Sequence, residues 1–231
     1  MASSEGTDAA RSALEASYLP LLKQLSPSHQ QRLDDEAIGH LRSSKLWKQA
    51  SVVLLYPRQA GGVRMDELAR RAFEDGKRVG LSVSRPFASR AVTEADASFK
   101  GGTTSKDPLA RTLDFIEIHE PSCACMPRGT VELSCDGTRE ASEGSTTGFS
   151  CAELFASLCV VPGLVFDRNG FRIAADQSLY DRFLAFYPGY KVALVHSMQV
   201  SGNPLPHGSK EIPVDYVISD GSVWRCRRRV S

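Results

Sequence analysis

The chain has 231 residues, enough for one sizeable hydrophobic core or at most two small ones. Hydrophobic residues make up 42% and charged residues 24%, and the formal net charge of +1 gives no field that would recruit nucleic acid or an acidic membrane. No apolar run approaches the roughly 20 residues of a membrane span, and the opening MASSEGTDAARS lacks the apolar stretch of a secretory signal, so a cytoplasmic protein is expected.

The first helical pattern is ALEASYLPLLKQL, with Leu14, Tyr18, Leu21, Leu22 and Leu25 apolar. Pro20 interrupts it and is expected to kink or split the helix. Ser26 or Ser28 can cap the next helix, SHQQRLDDEAIGHLRSS. SVVLLY (51–56) then opens a series of short apolar runs. The others are RVGLSV (78–83), DFIEIH (114–119), LCVVPG (158–163), KVALVH (191–196) and DYVISD (215–220). Most lack clean alternation, as strands covered on both faces do. MDELARRAFEDGK reads as a helix stopped at Gly76, with Leu68, Ala69, Ala72 and Phe73 inward. Shorter helices are expected at 150–157 and 177–187.

This alternation predicts an α/β fold of three layers, a mainly parallel sheet of about six strands with helices on both faces. One domain is expected, carrying a polar insert at about 122–149. That insert and residues 86–112 read as long surface loops. The basic ending WRCRRRV reads as a solvated chain end. The six cysteines are expected as thiols, with Cys159 in the core. Cys123, Cys125, Cys135 and Cys151 have the number for a zinc site, but C-x-C followed by gaps of nine and fifteen residues is not the paired C-x2-C pattern. Loop thiols are therefore favoured.

One stretch carries chemistry. VVPGLVFDRN reads as a buried strand and tight turn, and GFRIAADQSLYDRFL (171–185) leads into a helix. Strand, turn and helix together make a common anion cradle, placed here beyond a strand's carboxyl end after Phe166. The turn itself is Ala174, Ala175, Asp176, Gln177 and Ser178.

This stretch resembles the signature of the 5-formyltetrahydrofolate cyclo-ligase family, also called methenyltetrahydrofolate synthetase. That signature is a hydrophobic strand, Pro-Gly-x-x-Phe-Asp, a few residues, then Arg-Leu-Gly-x-Gly-x-Gly-Tyr-Tyr-Asp and a helix. Pro162, Gly163, Phe166, Asp167, Arg172, Tyr180 and Asp181 match it. Gly76-Lys77, Glu120-Pro121 and Gln199 are similar to further family positions, and LPHGSKEIPVDYVIS is similar to its closing acidic segment. The resemblance spans about residues 10 to 220 outside the insert.

It implies a reaction in which ATP phosphorylates the formyl oxygen of 5-formyltetrahydrofolate. N10 then attacks, phosphate leaves, and 5,10-methenyltetrahydrofolate forms. It implies ATP, Mg²⁺ and a reduced folate as ligands. By position it implies Arg172 and Tyr180 as catalytic residues and Arg11, Phe166, Gln177, Ser178 and Asp181 as cofactor-binding residues. Glu211 and Asp215 would hold the metal.

The departures fall on the phosphate-binding parts. The family's three loop glycines correspond to Ala174, Asp176 and Ser178, and one tyrosine of the pair is Leu179. Asp176 sets a carboxylate where phosphate oxygens would lie; at an effective dielectric near 20, like charges roughly 4 Å apart repel by about 4 kcal/mol. Glu15 reverses a basic position of the first helix, and residues 62–64 lack the carboxylate the family uses near folate. Lys100 and Lys106, with Gly101 and Gly102, are candidate replacements for lost charge. Local alternatives stand beside these roles. Arg172 can simply pair with a carboxylate such as Asp181. Tyr180 can be helix-face core, Asp181 a first-turn acid, and His196 a hydrogen-bonded wall residue. The expected function is therefore the cyclo-ligase reaction. The alternative is a catalytically impaired or inactive member that binds a small ligand or a protein partner.

Overall fold

Val52–Leu55 contains no polar residue and none of its four side chains reaches solvent, so β1 sits in mid-sheet. The structure, a computed structural model, describes residues 2–59, 61–86, 111–122, 149–175 and 177–226. Beside β1 lie β2 (Arg78–Pro86) on one side and β4 (Ser157–Val160) on the other, both parallel to it. β7 (Tyr190–Val195) and β9 (Tyr216–Ser219) continue the parallel sheet beyond β4. β3 (Arg111–Ile118) and β10 (Val223–Arg225) close its edges antiparallel, giving the order β10-β9-β7-β4-β1-β2-β3.

All six anticipated runs contribute strands to this sheet, with two differences. The WRCRRRV ending begins as a strand, because residues 223–225 pair with β9. The run 158–163 stops being strand at Val160. Beyond it lies a second, three-stranded sheet of β5 (Val165–Asp167), β6 (Arg172–Ile173) and β8 (Val200–Ser201), in the order β6-β5-β8.

The helices are α1 (Ala2–Lys23), α2 (Pro27–Ser43), α3 (Lys45–Gln49), α4 (Met65–Glu74), α5 (Cys151–Phe155) and α6 (Gln177–Leu184). α2 packs against β7 and β9, α4 against β1 and β2, and α6 against β3. Pro20 does not split α1. It lies in the last turn, three residues before the helix ends. Ser26 is the cap of α2, its hydroxyl accepting from the His29 amide. Lys77 donates to the Trp47 and Ala50 carbonyls, both at 2.6 Å, and so closes the end of α3.

A small second core of Val165, Ile173 and Leu205, with Leu14 and Tyr18 of α1 packed on it, joins α1 to the three-stranded sheet. Residues 87–110, 123–148 and 227–231, together with Asp176, lie outside the described residues. So do the readings made for Asp176, for Lys100 and Lys106, and for a zinc set built on Cys123, Cys125 and Cys135. Cys159 is a buried thiol, and burial pushes it up to about 12. Among the described residues no helix is long and apolar enough to cross a membrane.

Candidate functional site

The Pro-Gly-x-x-Phe-Asp stretch is built by packing. A Cβ on Gly163 would sit 2.5 Å from two ring atoms of Phe166, so only glycine lets that ring lie flat on the backbone. Phe166 is fully buried in this contact and presents no face to a ligand. Asp167, also buried, takes the amides of Asn169 and Phe171 on one oxygen and the Leu205 amide on the other, all at 2.9 Å. The turn it organises passes through Gly170 at φ 91°, hard against Val214, where any side chain would collide with backbone. The tight turn after Phe166 is therefore a β-hairpin turn.

The strand that leads into the helix is β6, and α6 already begins at Gln177. That start is the one expected for the helix over 177–187, so the last two residues read as turn are already helical. Gln177 and Ser178 lie in the first helical turn, with Ser178 exposed. Arg172 is 1% exposed. Its guanidinium donates to Asp181 Oδ1 at 3.0 Å, to the Ile212 carbonyl at 3.1 Å and to the Gln177 carbonyl at 3.4 Å. Burial pushes the Asp181 carboxyl up, against the opposing pull of Arg172 and the Ile212 amide. Tyr180 is buried, its hydroxyl donating to Ser82 Oγ at 2.9 Å, in the middle of β2. The local alternatives for Arg172 and Tyr180 thus describe their placement: one pairs with Asp181, the other is helix-face core.

Around the start of α6 three sequence-distant groups meet. The Glu211 carboxylate takes Arg11 Nη2 on Oε1 and Gln177 Nε2 on Oε2. Its Oε1 also takes the Gly208 amide at 2.9 Å. Arg11 adds two bonds to the Pro206 carbonyl, at 3.3 and 3.2 Å. Arg11, Gln177 and Glu211 are therefore brought together. Asp215 is held elsewhere, accepting the Lys191 amide at 3.0 Å where β7 begins. Among the described residues no three metal-ligating side chains converge. Glu211 bonds to Gln177 at the start of α6, and Asp215 bonds to the Lys191 amide in β7. Mg²⁺ usually keeps waters and takes one or two carboxylates with substrate phosphates, and the Glu211 carboxylate is of the kind it takes.

A second constellation escaped the sequence reading. The chain leaves β1 toward β2 and β4 toward β7, so the sheet changes direction between β1 and β4, where such folds hold ligands. Tyr56, directly after β1, and His196, directly after β7, stand on either side of the carboxyl end of β4. Asp34 of α2 is completely buried; it takes Arg64 Nε at 2.8 Å and pairs with His196 Nε2 at 2.8 Å. The His196 Nδ1 is buried with no partner among the described residues. Burial, then the nearby Asp34 charge, pushes the Tyr56 hydroxyl far up, so it stays protonated. His196 is the wall residue anticipated as one of its readings. Asp34 lies within a helical face, and no spacing rule links it to Arg64 or His196.

A family model described as 5-formyltetrahydrofolate cyclo-ligase family matches residues 7–220. No curated protein matches the chain. Among solved structures the chain is similar to the 5,10-methenyltetrahydrofolate synthetase of Aquifex aeolicus. The identity is 25% and the TM-score 0.59, covering 96% of this chain and 95% of that one. It is also similar in fold to the 5,10-methenyltetrahydrofolate synthetase of Mycoplasma pneumoniae, at 15% identity and TM-score 0.56, covering 91% of this chain and 98% of the other.

Proposed function

The chain belongs to the 5-formyltetrahydrofolate cyclo-ligase family over residues 7–220, and we propose on that premise that it converts 5-formyltetrahydrofolate to 5,10-methenyltetrahydrofolate at the expense of ATP. The terminal phosphoryl of ATP passes to the formyl oxygen and ADP leaves. N10 of the folate attacks the activated carbon, that oxygen departs with the phosphate, and the N10 proton is given up. The observation that carries the proposal is the meeting of Arg11, Gln177 and Glu211 at the start of α6, the helix that follows β6. In this reading Arg11 offsets phosphate charge, and the Gln177 amide and Gly208 N–H donate to phosphate oxygens. Mg²⁺, when bound, supplies further charge neutralisation between phosphates, with Glu211 as its protein ligand. Arg172 and Asp181 hold the α6 entry rigid from below, and Tyr180 fixes the helix to β2.

A second reading, binding without turnover, draws on one observation. Arg11 is already neutralised by Glu211, and Arg172 and Tyr180 have inward-facing partners. The two are separated by mixing the protein with 5-formyltetrahydrofolate, ATP and Mg²⁺ and following the absorbance of the methenyl product. Product growing in proportion to protein supports the cyclo-ligase. Calorimetric binding of the folate with no product supports the second reading and retires the first.

A further inference from the structure

We propose that Glu211 is a resident counter-ion: in the free protein it occupies an anion-binding corner made by Arg11, Gln177 and the Gly208 amide, and an anionic ligand enters only by displacing it. This rests on the reading of that corner as the place where phosphate is held, and it concerns how entry is regulated rather than which reaction follows.

The geometry is that of a bound anion. One carboxylate receives a guanidinium, a side-chain amide and a backbone N–H, three donors of three kinds from α1, α6 and the 205–211 loop. Both of its oxygens are engaged, and its side chain is only 14% exposed, with Arg11 at 22%. Phosphate oxygens are taken by the same donor types, and a guanidinium grips carboxylate and phosphate with the same fork. The corner therefore needs no rebuilding to take a phosphate; it needs Glu211 to leave. Glu211 sits on a loop held by few other ties. The Leu205 amide on Asp167 and the Phe171–His207 ring stack anchor the loop's near end, while Ile212 anchors its far end on Arg172 and Asp181. Between them Glu211 bonds outward to α1 and α6, so a side-chain rotation frees the donors without unfolding either anchor.

The consequence is a sign that an ordinary structural ion pair does not give. If Arg11 and Glu211 only brace α1, removing either partner weakens the protein and affects ligands alike. If Glu211 competes for Arg11, removing it helps an anion and removing Arg11 hurts it.

The test uses the full chain and inorganic pyrophosphate in EDTA, so neither metal nor folate takes part. Dissociation constants are measured by calorimetry for the wild type, Glu211→Gln and Arg11→Gln, with melting curves to show that each is folded. Glu211→Gln is expected to tighten binding by on the order of tenfold or more, because a like charge no longer faces the probe. Arg11→Gln is expected to weaken it by a similar factor. Equal or weaker binding by folded Glu211→Gln overturns the inference, as does pyrophosphate that binds neither protein. If Glu211→Gln does not fold, Arg11→Gln decides: unchanged affinity overturns the proposal. A failure of turnover alone leaves these constants untouched, so the two proposals fail separately.

Discussion

Replacing Asp34 with alanine removes the centre of the buried constellation between β1 and β7. Asp34 and His196 are both 0% exposed, and the Arg64 side chain is 25% exposed. Taking one partner from a buried ion pair costs about 3–5 kcal/mol, because the other charge is left without compensation. Here Arg64 can turn toward water and Asp35, already 3.5 Å away, which draws the cost toward the lower end. His196 cannot relax in this way. Its Nδ1 has no partner among the described residues, and the substitution would strip Nε2 as well. A buried group that loses a charged hydrogen bond costs about 1.5–3 kcal/mol. The two ranges describe the same broken contact and meet at a destabilisation of about 3 kcal/mol. For a chain of this size that lowers the melting temperature by about 6 to 12 °C. Urea denaturation followed by circular dichroism measures it. A loss below about 1 kcal/mol, the scale of ordinary surface substitutions, would refute the claim that Asp34 holds two strand ends together.

Three further outcomes follow from the packing and the charges. Gly163→Ala pushes a methyl to 2.5 Å from the Phe166 ring and is expected to cost about 1–3 kcal/mol by overpacking, read by thermal denaturation. Asp181→Asn takes from the 1%-exposed Arg172 the counter-charge it has among the described residues and is expected to cost about 3 kcal/mol, read by urea denaturation. Asp75 is held below its ordinary 3.8 by Arg42 first and then by the Trp47 indole. A carboxylate lowered in the folded state contributes stability above 3.8 and loses it as pH falls further. Melting temperatures taken down to about pH 3 should therefore drop less steeply for Asp75→Asn than for the wild type. Parallel acid limbs would contradict this.

Much of the architecture was legible because buried parallel strands announce themselves. Runs such as SVVLLY and KVALVH have no polar face to offer solvent, and Ser26 and Gly76 punctuate helices by local geometry alone. The second sheet was not legible. Its strands are two or three residues long, too short for any periodicity, and Asp167 and Gly170 set their turn through contacts with the distant Leu205 and Val214. The site divides in the same way. Arg172 and Asp181 stand nine residues apart, so their pairing was readable as a local alternative. Arg11 and Glu211 are separated by 200 residues and Asp34 and His196 by 162; only the wound topology brings them together. The resemblance implied Arg11 for the cofactor and Glu211 for the metal, and no spacing in the sequence pairs the two with each other.

The central claim is that ATP is spent to close the folate ring at the corner where α1, α6 and the 205–211 loop meet. Its most direct test is to measure ADP and methenyltetrahydrofolate in the same reaction, with wild type and Arg11→Ala side by side. The account predicts one ADP for each methenyl product, both requiring 5-formyltetrahydrofolate, and a large loss of both in the variant. ADP formed without folate, methenyl product formed without ATP, or an undiminished variant would contradict it.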